Sequence, residues 1–251
     1  MKDFIIAFQF LTRFTINLKK YELSKEDLAN SMVCFPIIGM LIGCFLVLVN
    51  TVLSLFLPCL VVDSFIIISL IFITKGLHLD GFSDTIDGFA AGKTKEEILE
   101  IMSDSHIGAI GVIGIFSLLI LKFSLIHEMP VETKNIALIL MPVLGRWAMV
   151  MAAASSDYAK ETDGLGKPFT DYVGIKEFVF ATITTVLIGW ILFSFGQLPY
   201  KGIILILIVY LANLYLLRTI KKRIGGITGD ILGALCEVTE VLVLLLIMVI
   251  L

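Results

Sequence analysis

Residues 60–92 read "LVVDSFIIISLIFITKGLHLDGFSDTIDGFAAG": an almost unbroken apolar run, then three aspartates, Asp80, Asp84 and Asp87, within eight positions. The first part is about as long as a helix needs to cross the hydrocarbon core of a bilayer, roughly 20 residues. The second part places carboxylates where charge is costly, so their role decides what the chain does.

Outward from this stretch the pattern repeats. Of the 251 residues, 58% are apolar and 16% charged, and the mean hydropathy is +1.01. Soluble domains sit nearer about 45–50% apolar. Runs of spanning length fall at about 32–57, 59–77, 107–126, 135–154, 173–196, 200–217 and 227–251. Lipid leaves unpaired backbone groups without partners, and runs this long and continuous are not barrel strands, so each is read as a helix. The expectation is an all-α polytopic membrane protein of about seven transmembrane helices, forming a single unit over 1–251 with no tandem repeat or second soluble domain. The N-terminal stretch carries Arg13 within its apolar run and no small-residue cleavage site, so it reads as an amphipathic interfacial helix rather than a removed signal. Cys34, Cys44, Cys59 and Cys236 show no metal-ligand spacing and read as free thiols packed as small hydrophobes. No basic block with interleaved aromatics points to nucleic acid.

Lysine and arginine set the orientation. Fifteen of nineteen fall in four places: the N-terminal segment, 75–106, 155–176 and 218–226. The loops near 58, 130 and 199 hold only Lys134 and Lys201, while Lys122 and Arg146 fall inside spans. The N-terminus and the aspartate segment are therefore expected in the cytoplasm, with "HLDGFSDTIDG", "EIMSDSHIG", "DYAKETDGLGKPF" and "KKRIGGITGD" all meeting one membrane face.

Asp80, Asp84 and Asp87 stand at i, i+4 and i+7, within roughly 60° around a helix. Like charges so close either raise one another's pKa or call for a cation, and hard oxygen ligands suit Mg²⁺ or Ca²⁺. Mg²⁺ takes one or two carboxylates and fills its shell with water and substrate phosphates, so the cluster reads as half a site awaiting a phosphate. A solvated loop with Asp-Gly turns is the plain alternative. His78 and His106 flank the acids and suit orienting a carboxylate, touching a phosphate or moving a proton. Asp104 reads equally as a cap of the span at Ile107 or as a fourth carboxylate. Arg146, mid-span, needs an acid of the aspartate cluster or an anionic substrate, or must snorkel to an interface. Asp230 and Glu237, seven apart, share a face of the last span and mark a polar seam entering the bundle, with Glu240 beyond them. The glycines and Lys167 of "DGLGKPF" suit a phosphate but match no nucleotide-binding motif.

Together, "FLTRFTI" (10–16), "FPIIGMLIG" (35–43), "GLHLDGFSDTIDGFAAG" (76–92), "EIMSDSHIGAIGV" (100–112), "GRWAMV" (145–150), "GLGKPF" (164–169) and "GGITGDILGALCE" (225–237) resemble the adenosylcobinamide-GDP ribazoletransferase family, also called cobalamin-5′-phosphate synthase. The match runs in family order over nearly the whole chain; two positions depart from it, His106 where arginine is usual and Lys75 where glycine is usual. The resemblance implies an integral membrane enzyme of a prokaryotic inner membrane. Its reaction would join α-ribazole, or its 5′-phosphate, to adenosylcobinamide-GDP with Mg²⁺ and release GMP. On that footing Asp80, Asp84 and Asp87 are the expected metal ligands, and Asp104 a second-metal or supporting group. His78 or an aspartate would take the hydroxyl proton, and Arg146, His106, Lys167, Asp230 and Glu237 would face substrate. Rival readings are another aspartate-rich membrane transferase, which lacks its DGxxAR and GxxxDxxxD pattern here, and a cation transporter, whose acids would lie mid-span in paired half-helices.

Overall fold

The computed structural model describes residues 1–16, 24–160, 164, 166–194 and 199–250. Lys19 and Lys20, and Asp163 and Leu165 of the "DGLGKPF" loop, lie outside them. Twelve α-helices are described: α1 Lys2–Leu11, α2 Lys25–Ser31, α3 Phe35–Leu53, α4 Cys59–Thr74, α5 Leu77–Ala91, α6 Lys95–Ile101, α7 Ala109–His127, α8 Val131–Ala154, α9 Lys167–Tyr172, α10 Ile175–Ser194, α11 Pro199–Ile224 and α12 Gly229–Ile250. One 3₁₀ turn, Met32–Cys34, joins α2 to α3, and a single parallel bridge pairs Tyr158 with Ile227.

By length and composition six helical stretches can cross a membrane, or seven where the α4–α5 pair, bent by 90°, is taken as one span. The expected helical, multi-pass architecture is the one observed. Boundaries shift by a few residues for local reasons. The fourth span begins at Val131 rather than 135 because Pro130, with no N–H to satisfy, stands at its N-cap. The sixth runs on to Ile224, carrying Lys221, Lys222 and Arg223 in its last turn, where cations suit the negative end of the helix. The N-terminal helix forms and buries Ile6, Ala7 and Leu11.

The bend between α4 and α5 has a local cause. Lys75 and Gly76 both adopt left-handed backbone, φ 57° and 67°, which stops α4 and redirects the chain. At Gly76 this is free; at Lys75, with its Cβ, it costs about 1–2 kcal/mol.

Elsewhere, helices approach closely through glycine. A Cβ on Gly39 would lie 2.5 Å from the Pro142 carbonyl oxygen, and one on Gly43 2.5 Å from the Ile139 Cα, so α3 packs backbone to backbone on α8 through a G-x-x-x-G pair. In the same way a Cβ on Gly81 would lie 2.8 Å from the Asp230 Cα, and one on Gly233 3.2 Å from the His78 Cα. That contact fixes α5 against the first turns of α12.

Helix α8 is the centre of the bundle, buried almost continuously from Ala137 to Ala153. Beside it lie four buried charges. Lys122 of α7 donates to Glu237 and Glu240 of α12, each at 2.5 Å. Arg146 of α8 donates to the other oxygen of Glu240. Two cations thus face two carboxylates, and one network ties three spans. At the end of the bundle away from α5, another buried acid, Asp63, accepts from Lys134 at 2.5 Å and lies 2.9 Å from His127 Nδ1. The ammonium of Lys134 compensates Asp63, so this cluster reads as a clasp between α4, α7 and α8.

Candidate active site

Four polar segments far apart in sequence meet at one end of the bundle. Arg223 at the end of α11 donates to the carbonyls of Phe89 and Gly92 at the end of α5. Lys221 donates to the Ser155 carbonyl, and Lys160 to Ser103. Ala159 N–H donates to Ile227 O, and Ile227 N–H to Asp157 O, each at 2.9 Å. The loop after α8, the α5–α6 segment and the start of α12 therefore form one surface.

Within it, α5 presents the aspartates. The stripe expected from their spacing exists, because residues 77–91 form one helix. Asp80 is exposed and Asp84 half-buried. Asp84 lies in the field of Asp80, Asp230 and Asp87, with Lys160 the cation that offsets them. Asp230 enters this group because Gly81 lets α12 approach, and Lys160 Nζ stands 3.9 Å from its carboxylate.

Asp87 has another partner. Its two oxygens accept from the N–H groups of Gly108 and Gly111, each at 2.8 Å, and so cap the N-terminus of α7. A carboxylate there satisfies orphan donors and faces the positive end of the helix. The position is tight: a Cβ on Gly111 would fall 2.3 Å from Asp87 Oδ2. Asp87 is thus engaged as an anchor rather than held open beside Asp80. Asp87→Ala is expected to lower unfolding free energy by about 1–2 kcal/mol, the scale of a lost N-cap, measured by chemical denaturation in detergent.

Asp104 does not cap α7, which begins at Ala109 behind Gly108. Its carboxylate accepts from the His106 N–H at 2.9 Å and meets the His106 ring at 2.8 Å. The backbone N–H of His106, then its ring, holds the Asp104 carboxyl below its ordinary range. Both side chains are exposed, and neither lines the cavities described next.

Two cavities meet at Phe10, Leu77 and Asp80. The inner one, about 140 Å³, is walled by His78, Asp80, Asp230, Phe169 and Met149, with Gly81, Gly166, Gly229 and Gly233 allowing close approach. The outer one is an open groove of about 650 Å³ along Gln9, Lys75, Leu79 and Ile115. His78 is 2% exposed, and neither of its ring nitrogens has a hydrogen-bond partner among the described residues.

Arg146 and Glu237, expected to face substrate, line neither cavity; burial and the pairing with Glu240 and Lys122 turn them inward. Lys167 starts α9, next to Gly166 of the inner cavity. The partner of Arg146 is Glu240 rather than an acid of the α5 cluster, and neither Glu240 nor Lys122 carries a role in the sequence reading. The donor set suits a hard divalent cation: Asp80, Asp84 and Asp230 offer carboxylate oxygen and excess negative charge. Among the described residues, a thiol sulfur, a carboxylate oxygen and an imidazole nitrogen lie within 4.8 Å of one another at Cys59, Asp63 and His127. The aspartates stand wider, so a cation there would keep water and take further oxygens from a ligand.

The family model described as CobS, cobalamin-5-phosphate synthase, matches residues 3–248. Among curated relatives, an "Adenosylcobinamide-GDP ribazoletransferase" of Acetivibrio thermocellus is 34% identical over 246 residues, covering 98% of this chain and 97% of its own. That of Clostridium acetobutylicum is 36% identical over 94% and 91%, and that of Desulforamulus reducens 37% identical over 97% and 94%. No solved structure matches. With its spans, its glycine-packed core and its α5 aspartates all inside the matched region, this chain belongs to the cobalamin-5-phosphate synthase family.

Proposed function

We propose that this enzyme joins α-ribazole, or its 5′-phosphate, to adenosylcobinamide-GDP and releases GMP, with Mg²⁺ held by Asp80, Asp84 and Asp230 at the cytoplasmic end of the bundle. The observation that carries the reading is the paired cavity: an inner pocket with a partnerless histidine, opening past Asp80 into a groove wide enough for a large ligand. Family membership names the reaction class, and the excess of lysine and arginine in the segments gathered here supports the cytoplasmic side.

In this reading the ribose 3′-hydroxyl attacks the phosphorus nearer the corrinoid. A new P–O bond forms, the bond to the oxygen bridging the two phosphorus atoms breaks, and GMP departs with that oxygen. Asp80, Asp84 and Asp230 would hold the cation, which would supply charge neutralisation for the diphosphate. The chain's own residues do the rest. His78, whose ring nitrogens have no partner among the described residues, accepts the hydroxyl proton at the inner cavity. Phe10 and Phe169, packed edge to face at 5.2 Å, close that cavity on the α1 side and keep water from competing. Lys160 limits the repulsion among the aspartates.

The test is incubation of detergent-purified protein with adenosylcobinamide-GDP, either form of ribazole and Mg²⁺, with GMP and the corrinoid product separated by chromatography. Product from neither form ends the reading. His78→Gln keeps a hydrogen-bonding group but not the base, and is expected to lower kcat by about a hundredfold.

A further inference from the structure

The clasp at the far end of the bundle holds more than its hydrogen bonds need. Lys134 satisfies Asp63 Oδ1 at 2.5 Å, and His127 Nδ1 meets Oδ2 at 2.9 Å. A further group, the thiol of Cys59, also faces Oδ2, at 3.3 Å. Cys59 is exposed rather than packed as a small hydrophobe. Its spacing along the chain gave no reason to group it with a histidine, because His127 comes from another helix, 64 residues beyond Asp63.

Cys59 and Asp63 stand four apart on the first turns of α4, one above the other, and His127 is the last residue of α7. One ligand atom from each lies within 4.8 Å of the other two. In a tetrahedral zinc site, with Zn–S of about 2.3 Å and Zn–N and Zn–O of about 2.0–2.2 Å, neighbouring ligand atoms stand about 3.4–3.6 Å apart. The contacts to Oδ2, 3.3 and 2.9 Å, therefore need to open by only about 0.3–0.5 Å to admit the ion. Thiolate with imidazole selects Zn²⁺, whereas Mg²⁺ prefers oxygen alone.

The surroundings orient these ligands. Lys134 keeps the other oxygen of Asp63, the outer hydrogen bond that fixes a metal-bound carboxylate. The His127 ring stacks on Phe123, centroids 5.9 Å apart and planes within 4°. Asp63 is buried, while Cys59 is exposed and the His127 side chain 33% exposed, so an ion can enter from the end of the bundle and keep water at its fourth position.

We propose that Cys59 Sγ, Asp63 Oδ2 and His127 Nδ1 form a Zn²⁺ site that locks the start of α4 to the end of α7. On binding, the Cys59 thiol gives its proton to solvent and ligates as thiolate; His127 ligates as neutral imidazole with its proton on Nε2. Two anionic ligands match the charge of the ion. No step of the proposed reaction passes through this site, which lies at the other end of the bundle from the α5 aspartates.

The experiment titrates metal-stripped, detergent-purified protein with Co²⁺, a coloured stand-in for Zn²⁺, under reducing conditions. Wild type should show the near-ultraviolet charge-transfer band of a cobalt–thiolate bond, saturating at one ion per chain, abolished by equimolar Zn²⁺ and indifferent to excess Mg²⁺. Cobalt at the aspartates gives no such band. Cys59→Ser, at an exposed position, keeps the fold and should lose the band. Loss of an outer hydrogen bond alone weakens a metal site by about 10–100-fold, so His127→Gln should weaken Zn²⁺ binding by more than about a hundredfold, read by competition with a chelating dye. Zn²⁺ should raise the Tm of wild type and not that of Cys59→Ser. Cys44→Ser, which removes another exposed thiol, should behave as wild type. The proposal is overturned by absence of the band in wild type, by its survival in Cys59→Ser, by unchanged Zn²⁺ affinity in His127→Gln, or by its loss to Mg²⁺.

Discussion

Asp84→Asn is expected to lower the rate of GMP release by on the order of a hundredfold to a thousandfold, while the protein still folds and elutes as wild type. Asp84 stands among Asp80, Asp230 and Asp87 with one lysine nearby, so its charge serves a ligand better than it serves the fold. Loss of a carboxylate that holds a divalent cation removes several kcal/mol of charge stabilisation in the transition state, and each 1.36 kcal/mol is about tenfold in rate. Residual activity should need more Mg²⁺, and the wild type should lose activity on chelation and regain it on Mg²⁺ addition. Asp230→Asn should behave in the same direction, since α12 brings that carboxylate beside Asp84. Full Mg²⁺-dependent turnover by Asp84→Asn would remove the metal assignment.

The second large effect concerns stability. Lys122→Met leaves Glu237 and Glu240, both buried, with only Arg146 to offset them, and should destabilise the protein by about 3–5 kcal/mol. The cost is that of an uncompensated charge in a site that water cannot reach. Changing both sides of a pair is gentler. Arg146→Met together with Glu240→Leu leaves Lys122 with Glu237, a balanced pair, and should cost less than either single change. Thermal unfolding in one detergent, compared across the two singles and the double, measures the coupling. If Lys122→Met melted like wild type, the network would carry no stability.

This network also explains why Arg146 resists a reading from sequence. An arginine inside an apolar run announces only that it needs an anion. Whether that anion is a substrate phosphate or Glu240, ninety-four residues away, depends on how α8 and α12 are rotated against each other. Asp87 shows the same limit. Its helical phase matches Asp80 and Asp84, yet its carboxylate reaches the amides of Gly108 and Gly111, because α7 begins beside the end of α5. Asp230 shows the converse: distant in sequence from the aspartate stripe, it joins the stripe through the side-chain-free surface of Gly81.

What the sequence by itself determined is what depends on local chemistry. Apolar runs of spanning length fixed the helical, multi-pass class, since backbone groups in lipid must be satisfied within their own helix. The i, i+4, i+7 spacing placed three carboxylates on one helix, and the motifs gave the family. The tertiary structure alone decided which of those carboxylates caps α7, which cations are spent on internal pairs, and that a left-handed lysine borders the groove. Those outcomes turn on the distance between atoms of different helices, and that distance is set by where glycine lets two backbones touch.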